Sequence, residues 1–394
     1  MLPSYYEFHN SVKILSGRKA LENIPFELVR LGAQRPLLVT DKVLVKLGLV
    51  QPVIEALQQA GIEIAALYDD VPPDSSVQIV NVIARLYRTE QCDAVLAVGG
   101  GSVIDTAKGV NILIQENSDD LLTLMGMENL KSKRLHPFIV VPTTSGTGSE
   151  ATLVAVIANP DKNIKMEFIS YYLLPDVAVL DPRMTESLPP RLTASTGMDT
   201  LCHAIEASTS IQKNPLSDAY AFAAIRLVRE YLPQAVANGM NQEARLAMAN
   251  ASLMAGAAFS NAMVGIVHAI GHACGGVCHV PHGDAMTILL PHGMEYNLDS
   301  VAAVYGELLL PLAGPEIYAS TPQTERARQA IESIRRLNEQ FNQTCGLPLR
   351  LRDVGVKEDD FGRIAQTAIN DGAIVANPKE AGLADVLDIL RAAY

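Results

Sequence analysis

From Arg35 to Pro182, short apolar runs alternate with stretches whose apolar positions recur every three or four residues. The runs PLLVT (Pro36–Thr40), IEIAALY (Ile62–Tyr68), DAVLAV (Asp93–Val98), FIVVP (ending at Pro142), LVAVI (Leu153–Ile157) and VAVLD (Val177–Asp181) predict strands. Between them, helices are predicted over Val43–Ala60, from a Ser76 cap toward Glu90, and from Val103 toward Gln115. Strands without a polar face, alternating with amphipathic helices, argue for a mostly parallel sheet covered by helices on both faces. After SLPPR (Ser187–Arg191) the strand pattern stops. Thr193–Ser210, Pro215–Gly239, Gln242–Gly256, Ala257–Gly271 and Thr324–Thr344 all carry the helical period. The expectation is an α/β domain over residues 1–185 followed by an all-α domain over 186–394. Ligands of open parallel sheets sit beyond the carboxyl ends of the strands, so the active cleft is expected between the two domains.

The 394 residues are 48% hydrophobic and 19% charged, the balance of a folded chain too long for one ordinary core. With 43 Asp and Glu against 31 Lys and Arg, the net charge is −12. No basic stripe offsets it, which argues against a nucleic-acid partner. The five cysteines, Cys92, Cys202, Cys274, Cys278 and Cys345, lack paired spacing and fit a reducing compartment. MLPSYYEFHN has neither the basic nor the apolar region of a signal peptide, so a cytoplasmic location is expected. The 38 residues from Leu246 to Gly283 contain no Asp, Glu, Lys or Arg. They are nevertheless rich in Ala and Gly and carry Asn250, Ser252, Ser260, Asn261 and several histidines, unlike the Leu-, Ile-, Val- and Phe-dominated pattern of a membrane span. The stretch reads as buried helix packed closely through small residues, and no membrane association is expected.

AVGGGSVIDTAK (Ala97–Lys108) places three glycines between a strand and a helix. Such a turn lets backbone approach a ligand and points helix amides at a phosphate. It is neither GxGxxG nor a P-loop, and alone it is equally a plain strand-to-helix connection. VPTTSGTGSE (Val141–Glu150) supplies a second polar turn after a strand, and two such turns favour a nucleotide. Asp41, at the end of the Pro36–Thr40 strand, suits a ribose diol and opposes a 2′-phosphate, favouring NAD over NADP; it is equally suited to cap a helix. In the second half, GMDTLCHAIEA (Gly197–Ala207) spaces Asp199 and His203 one helical turn apart, and Gly265–Asp284 adds His268, His272, His279 and His282. One carboxylate and several imidazoles in an apolar setting suit a divalent metal such as Fe²⁺, Zn²⁺, Co²⁺ or Ni²⁺. Cys274 and Cys278 lack the CxxC spacing of a structural zinc site and read as small buried residues, and Cys202 is expected on another helix face from His203.

Over essentially its whole length the chain resembles the iron-containing, group III alcohol dehydrogenases, which share the dehydroquinate synthase-like fold. The resemblance is carried by GGGSVIDTAK, PTTSGTGSE, GMDTLCHAIEA and the pattern GxxHxxxHxxGxxxxxxHG from Gly265 to Gly283. It implies a Rossmann-like, dinucleotide-binding first domain and a helical second domain holding one divalent metal. It further implies NAD(H)-dependent interconversion of a small primary alcohol or diol and its aldehyde, with the metal, Fe²⁺ or Zn²⁺ or another, polarising the substrate oxygen. The implied metal ligands are Asp199, His203, His268 and His282, with His272 unligated and relaying protons. Gly99, Gly100, Gly101 and Ser102 are implied at the pyrophosphate, and Asp105, Thr143, Thr144, Thr147 and Lys165 around the cofactor. Asp41 looks like the acidic residue of NAD-preferring members, and a homodimer or larger homo-oligomer is implied. Cys274 stands where many members have proline and Ser145 where alanine is common, while His279 matches no ligand position. A glycerol dehydrogenase-like zinc enzyme of the same fold and a metal-dependent hydrolase stand as alternatives, as does a cofactor-binding sensor without turnover; the glycine and threonine turns have no use in a hydrolase.

Overall fold

Apolar runs with no polar face need burial on both sides, and the strands of the first half obtain it in one parallel sheet. In the computed structural model, which describes residues 3–73, 75–124, 136–161 and 164–394, this sheet has six strands. They are β1 (Lys13–Ser16), β2 (Pro36–Val39), β3 (Ala66–Tyr68), β4 (Ala94–Gly99), β5 (Phe138–Pro142) and, numbered after the hairpin below, β8 (Val177–Leu180). Their order is β1-β8-β5-β4-β2-β3, with every pairing parallel. All residues of β2, β4, β5 and β8 are buried, as continuous apolar runs require. Helices α1 (Ile24–Arg30), α2 (Lys42–Lys46), α3 (Gln51–Gln59), α4 (Val77–Thr89) and α5 (Gly101–Gln115) make the crossovers.

Three departures from the sequence pattern have identifiable causes. The helix expected over Val43–Ala60 is broken into α2 and α3, because Gly48 turns the backbone to φ +72°. Strand β1 carries no apolar run; it exists through its pairing of Lys13–Ser16 with Val177–Leu180. Leu153–Ile157 does not join the main sheet. It belongs to β6 (Val154–Asn159), which pairs antiparallel with β7 (Ile164–Ile169) in a separate hairpin. Alternate burial along β6 explains this, since only one of its faces is covered.

The helical unit contains α6 (Pro190–Thr209), α7 (Pro215–Ala237), α8 (Gln242–Ser260), α9 (Ile266–Cys278), α10 (His282–Ala313), α11 (Pro315–Ser320), α12 (Arg326–Cys345), α13 (Phe361–Ala368) and α14 (Leu383–Ala392). The two helices expected over Gln242–Gly256 and Ala257–Gly271 are instead parted at residues 261–265. α10 was not expected at all: it contains Pro291 and Pro311, kinks at Val301, and is buried along much of its length, so it shows no single apolar stripe. The charge-free run from Leu246 to Gly283 forms most of α8 and all of α9, packed into the helical core. Among the described residues no helix is long and apolar enough to cross a membrane. The chain divides into His9–Ser187 and Leu188–Tyr394, and residues 3–8 belong with the helical unit, where Phe8 stacks on Tyr220 at 5.7 Å.

Candidate functional site

In the parallel sheet the chain leaves β2 toward β3 on one side and returns to β4 on the other. Loops diverge at such a reversal and leave a crevice at the carboxyl edge. Asp41 follows β2, while Gly99, Gly100 and Gly101 close β4 and open α5, so all of them lie at that edge. β5 ends with Pro142 opposite Gly99 and brings Thr143, Thr144 and Thr147 beside the glycines. The Thr143 amide donates to the Gly99 carbonyl at 3.1 Å. A Cβ on Gly101 would stand 2.9 Å from Thr147 Cγ2, and one on Gly100 3.3 Å from the Thr144 hydroxyl, so glycine is what lets the two turns meet. No side chain caps the start of α5, which leaves its first amides for an anion such as a pyrophosphate.

The remaining residues expected around the cofactor are engaged differently. Asp41 caps α2, with Oδ1 accepting the Leu44 amide at 2.9 Å. The Ser102 hydroxyl donates to the Pro73 carbonyl. Asp105 uses both oxygens within its unit: Oδ1 accepts the Ser149 hydroxyl at 2.5 Å and Oδ2 the Val156 amide at 3.0 Å. It thereby ties the second polar turn and β6 to α5. Lys165 is exposed on β7, opposite Ala158 of β6. Lys108, which the sequence reading passed over, is fully buried beside Asp105. Its Nζ donates to the Thr152 carbonyl at 2.8 Å, the Thr152 hydroxyl at 2.9 Å and the Val154 carbonyl at 2.7 Å. Burial pushes Lys108 down to about 8 and Glu150 up to about 7, and Glu150 Oε1 has no hydrogen-bond partner.

In the helical unit, Asp199 and His203 share one face of α6, His268 projects from the first turn of α9, and His282 opens α10. One ligand atom from each lies within 4.8 Å of all the others. Asp199 Oδ1 is 3.7 Å from His203 Nδ1, 3.7 Å from His268 Nε2 and 3.3 Å from His282 Nε2. Asp199 Oδ1, His203 Nδ1 and His268 Nε2 are buried and have no hydrogen-bond partner. Buried lone pairs left unpaired and aimed at one another are costly for a protein alone and are satisfied by a cation. Burial pushes His203 down to about 3, so its imidazole stands neutral with a lone pair to give. For Asp199, burial acts upward, but the nearby imidazoles of His203 and His282 hold the carboxyl well below the usual carboxylate range. One oxygen and three ring nitrogens suit a first-row divalent metal, so the residues fit the group the sequence implied.

Residues outside the sequence reading hold these candidate ligands. Glu206, on the same face of α6 at the next turn, accepts from His268 Nδ1 through Oε2 at 2.5 Å and from the Val267 amide through Oε1 at 2.7 Å. A proton on Nδ1 leaves Nε2 as the free lone pair, the tautomer a metal needs. Asn377 Oδ1 takes the Ile266 amide at 3.2 Å, completing the start of α9, which has no cap of its own. Phe259 stacks on the His203 ring at 4.3 Å. His272 stands outside the four-residue group, half-buried, with Nδ1 3.0 Å from Asp371 Oδ2. Cys202 Sγ lies 3.8 Å from His268 Nδ1, at the ring nitrogen farther from Asp199, and outside the four-residue group. Cys274 is buried and Cys278 half-buried on α9, and neither joins the ligand group. His279 is exposed and ends α9 in the left-handed conformation, φ +58°. Glu206 was detectable in principle, since it continues the face of Asp199 and His203 as a carboxylate in otherwise apolar surroundings. Asp371 gave no such sign.

Two family models match the chain, one described as iron-containing alcohol dehydrogenase over residues 11–182 and one as the C-terminal part of the Fe-containing alcohol dehydrogenase family over residues 193–394. Among similar curated proteins, a 1,3-propanediol dehydrogenase from Klebsiella pneumoniae is 41% identical over 92% of both chains. An NAD-dependent methanol dehydrogenase from Bacillus methanolicus is 36% identical, over 95% of this chain and 96% of its own. The solved structure of a 1,3-propanediol oxidoreductase superposes with a TM-score of 0.94 at 38% identity, covering 99% of this chain and 100% of the other.

Proposed function

Since the chain belongs to the iron-containing alcohol dehydrogenase family, we propose that it interconverts a small primary alcohol or diol and its aldehyde with NAD(H) and iron. The observation that carries this reading is the convergence of Asp199, His203, His268 and His282 with three of their ligand atoms otherwise unpartnered. When bound, the divalent metal supplies a Lewis acid for the substrate oxygen and the nicotinamide supplies the two-electron redox couple.

The rest of the work falls to this chain's side chains. Asp199, His203, His268 and His282 hold the metal, and Glu206 keeps His268 in the tautomer that offers Nε2. Asp199 and Glu206 together bring two negative charges, which balance a divalent cation in a buried place. His272 is the proton carrier. Asp371 engages its Nδ1 and leaves Nε2 to take the hydroxyl proton of an alcohol, or to return it during aldehyde reduction; the side chain is 33% exposed, so the proton has a way to water. The glycine turn and the amides of α5 hold the pyrophosphate, with Thr143, Thr144 and Thr147 beside it. Asp41 binds the adenosine ribose and disfavours a 2′-phosphate. Five free cysteines fit a cytoplasmic location, and a homodimer or larger homo-oligomer is measurable by light scattering. The hydrolase alternative gives way, because the matching family and both named relatives are alcohol dehydrogenases.

The test is anaerobic purification, metal analysis, and NADH oxidation with a panel of short aldehydes before and after chelation. Activity lost to the chelator and restored by Fe²⁺ is expected. Full activity in metal-free protein, or metal bound without turnover on any member of the panel, overturns the proposal.

A further inference from the structure

The four candidate ligands are not equally enclosed. Asp199, His203 and His268 are buried, whereas the His282 side chain is 40% exposed and belongs to the first residue of α10, directly after Pro281. Where His282 stands therefore depends on where α10 begins against α6. Arg191, Ser195, Asp199 and His203 follow one another at four-residue steps and form a single ridge of α6. The last two are ligand candidates, and the first two grip α10. Asp284, buried and two residues after His282, accepts the Ser195 hydroxyl on Oδ1 at 2.9 Å and Arg191 Nη2 on Oδ2 at 2.9 Å. Between them, Gly283 lies so close to α6 that a Cβ would stand 2.5 Å from Ser195 Oγ and 2.7 Å from the Ser195 carbonyl oxygen.

We infer that Asp284, held by Ser195 and Arg191, is a positioning residue that sets His282 against Asp199 and so tunes the affinity of the metal centre; the inference rests on reading Asp199, His203, His268 and His282 as ligands of one cation. The grip and the ligands lie on one ridge, so the register that satisfies Asp284 is the register that brings His282 Nε2 to 3.3 Å from Asp199 Oδ1. A slip of α10 by one residue rotates its side chains by about 100° and carries the imidazole away. A buried carboxylate with both oxygens bonded resists that slip, because moving it leaves a charge unpaired. The Arg191 side chain is 53% exposed and contributes less than the buried Ser195 contact.

The experiment titrates metal-free protein with Co²⁺ against a chromophoric chelator and records the visible absorption of the bound ion. Asp284→Ala and Ser195→Ala are expected to weaken Co²⁺ binding by about 10- to 100-fold and to change the ligand-field bands. Thr193→Ala, on the same helix as Ser195, is the control: it removes the 2.7 Å bond that buried Arg245 of α8 donates to the Thr193 hydroxyl, without touching Asp284, and is expected to lower the metal-free Tm with affinity and spectrum unchanged. If Asp284→Ala does not fold, Asp284→Asn and Ser195→Ala make the same comparison. Wild-type affinity and spectrum in the Asp284 and Ser195 variants, with only a lower Tm, overturn the positioning role while binding that is lost in Asp199→Ala upholds the ligand set. Wild-type binding that is indifferent to Asp199→Ala overturns the ligand set and the positioning role together.

Discussion

Asp41 has two tasks open to it, a helix cap and a cofactor contact, and one substitution separates them. Asn caps as well as Asp. Asp41→Asn thus preserves α2 but removes the charge that opposes a 2′-phosphate, a repulsion of about 1–4 kcal/mol at contact range. The ratio of kcat/KM with NADPH to that with NADH is expected to rise roughly tenfold or more. An unchanged ratio in Asp41→Asn, with a lower Tm confined to Asp41→Ala, reduces the residue to a cap. His272 is tested in the same spirit. His272→Ala is expected to lower kcat by about 100-fold, the usual worth of a positioned acid or base, while bound metal measured by elemental analysis stays at the wild-type level. Loss of the metal would instead make His272 a ligand. Asp371→Asn is expected to lower kcat less and to shift its pH profile, since only the orientation and charge behind the ring change.

The segment carrying the second polar turn into β6 is held by buried charge, and its stability depends on pH. Burial raises the Glu150 carboxyl to about 7 from an ordinary value of 4.5, and its Oε1 is unpartnered. Between these two values the folded chain holds a proton that the unfolded chain has released, so stability falls as pH rises from about 4.5 to about 7. The contribution is fully present below that window and lost above it. Its upper bound is about 3 kcal/mol, from 1.36 kcal/mol per pKa unit. Urea unfolding at pH 5 and pH 8 is expected to show a smaller difference in Glu150→Gln than in wild type, whatever offset the new amide introduces. An equal difference in the two proteins places the titration elsewhere. At the start of α9, by contrast, the amides of Ile266 and Val267 are satisfied by Asn377 and Glu206, so this helix end is held by residues remote in sequence.

Across the whole molecule the two sets of candidate residues lie in separate compact units, and ligands should mark them separately. A divalent cation is expected to slow amide hydrogen exchange in α6, α9 and α10, and NADH to slow it around residues 99–105 and 143–149. Protection by the cation that spares α9 and α10 counts against the ligand set. Much of this was legible in residue order. The alternation of apolar runs and helices, the glycine turn before α5 and the Asp199–His203 step depend on neighbours a few residues apart, and backbone geometry translates such spacing directly. The family motifs also pointed to the four candidate ligands, Asp199, His203, His268 and His282, which the fold brings together. Tertiary structure decided what depends on distant partners. Glu206 meets His268 across 62 residues, Asp284 meets Ser195 across 89 and His272 meets Asp371 across 99, separations at which no periodicity connects two side chains. It also decided that β6 leaves the main sheet for a hairpin, and that His279 ends a helix while His282, three residues on, begins the next and faces Asp199. Local pattern determines which elements form; which of their side chains meet is set by how those elements pack, and that is a property of the folded chain alone.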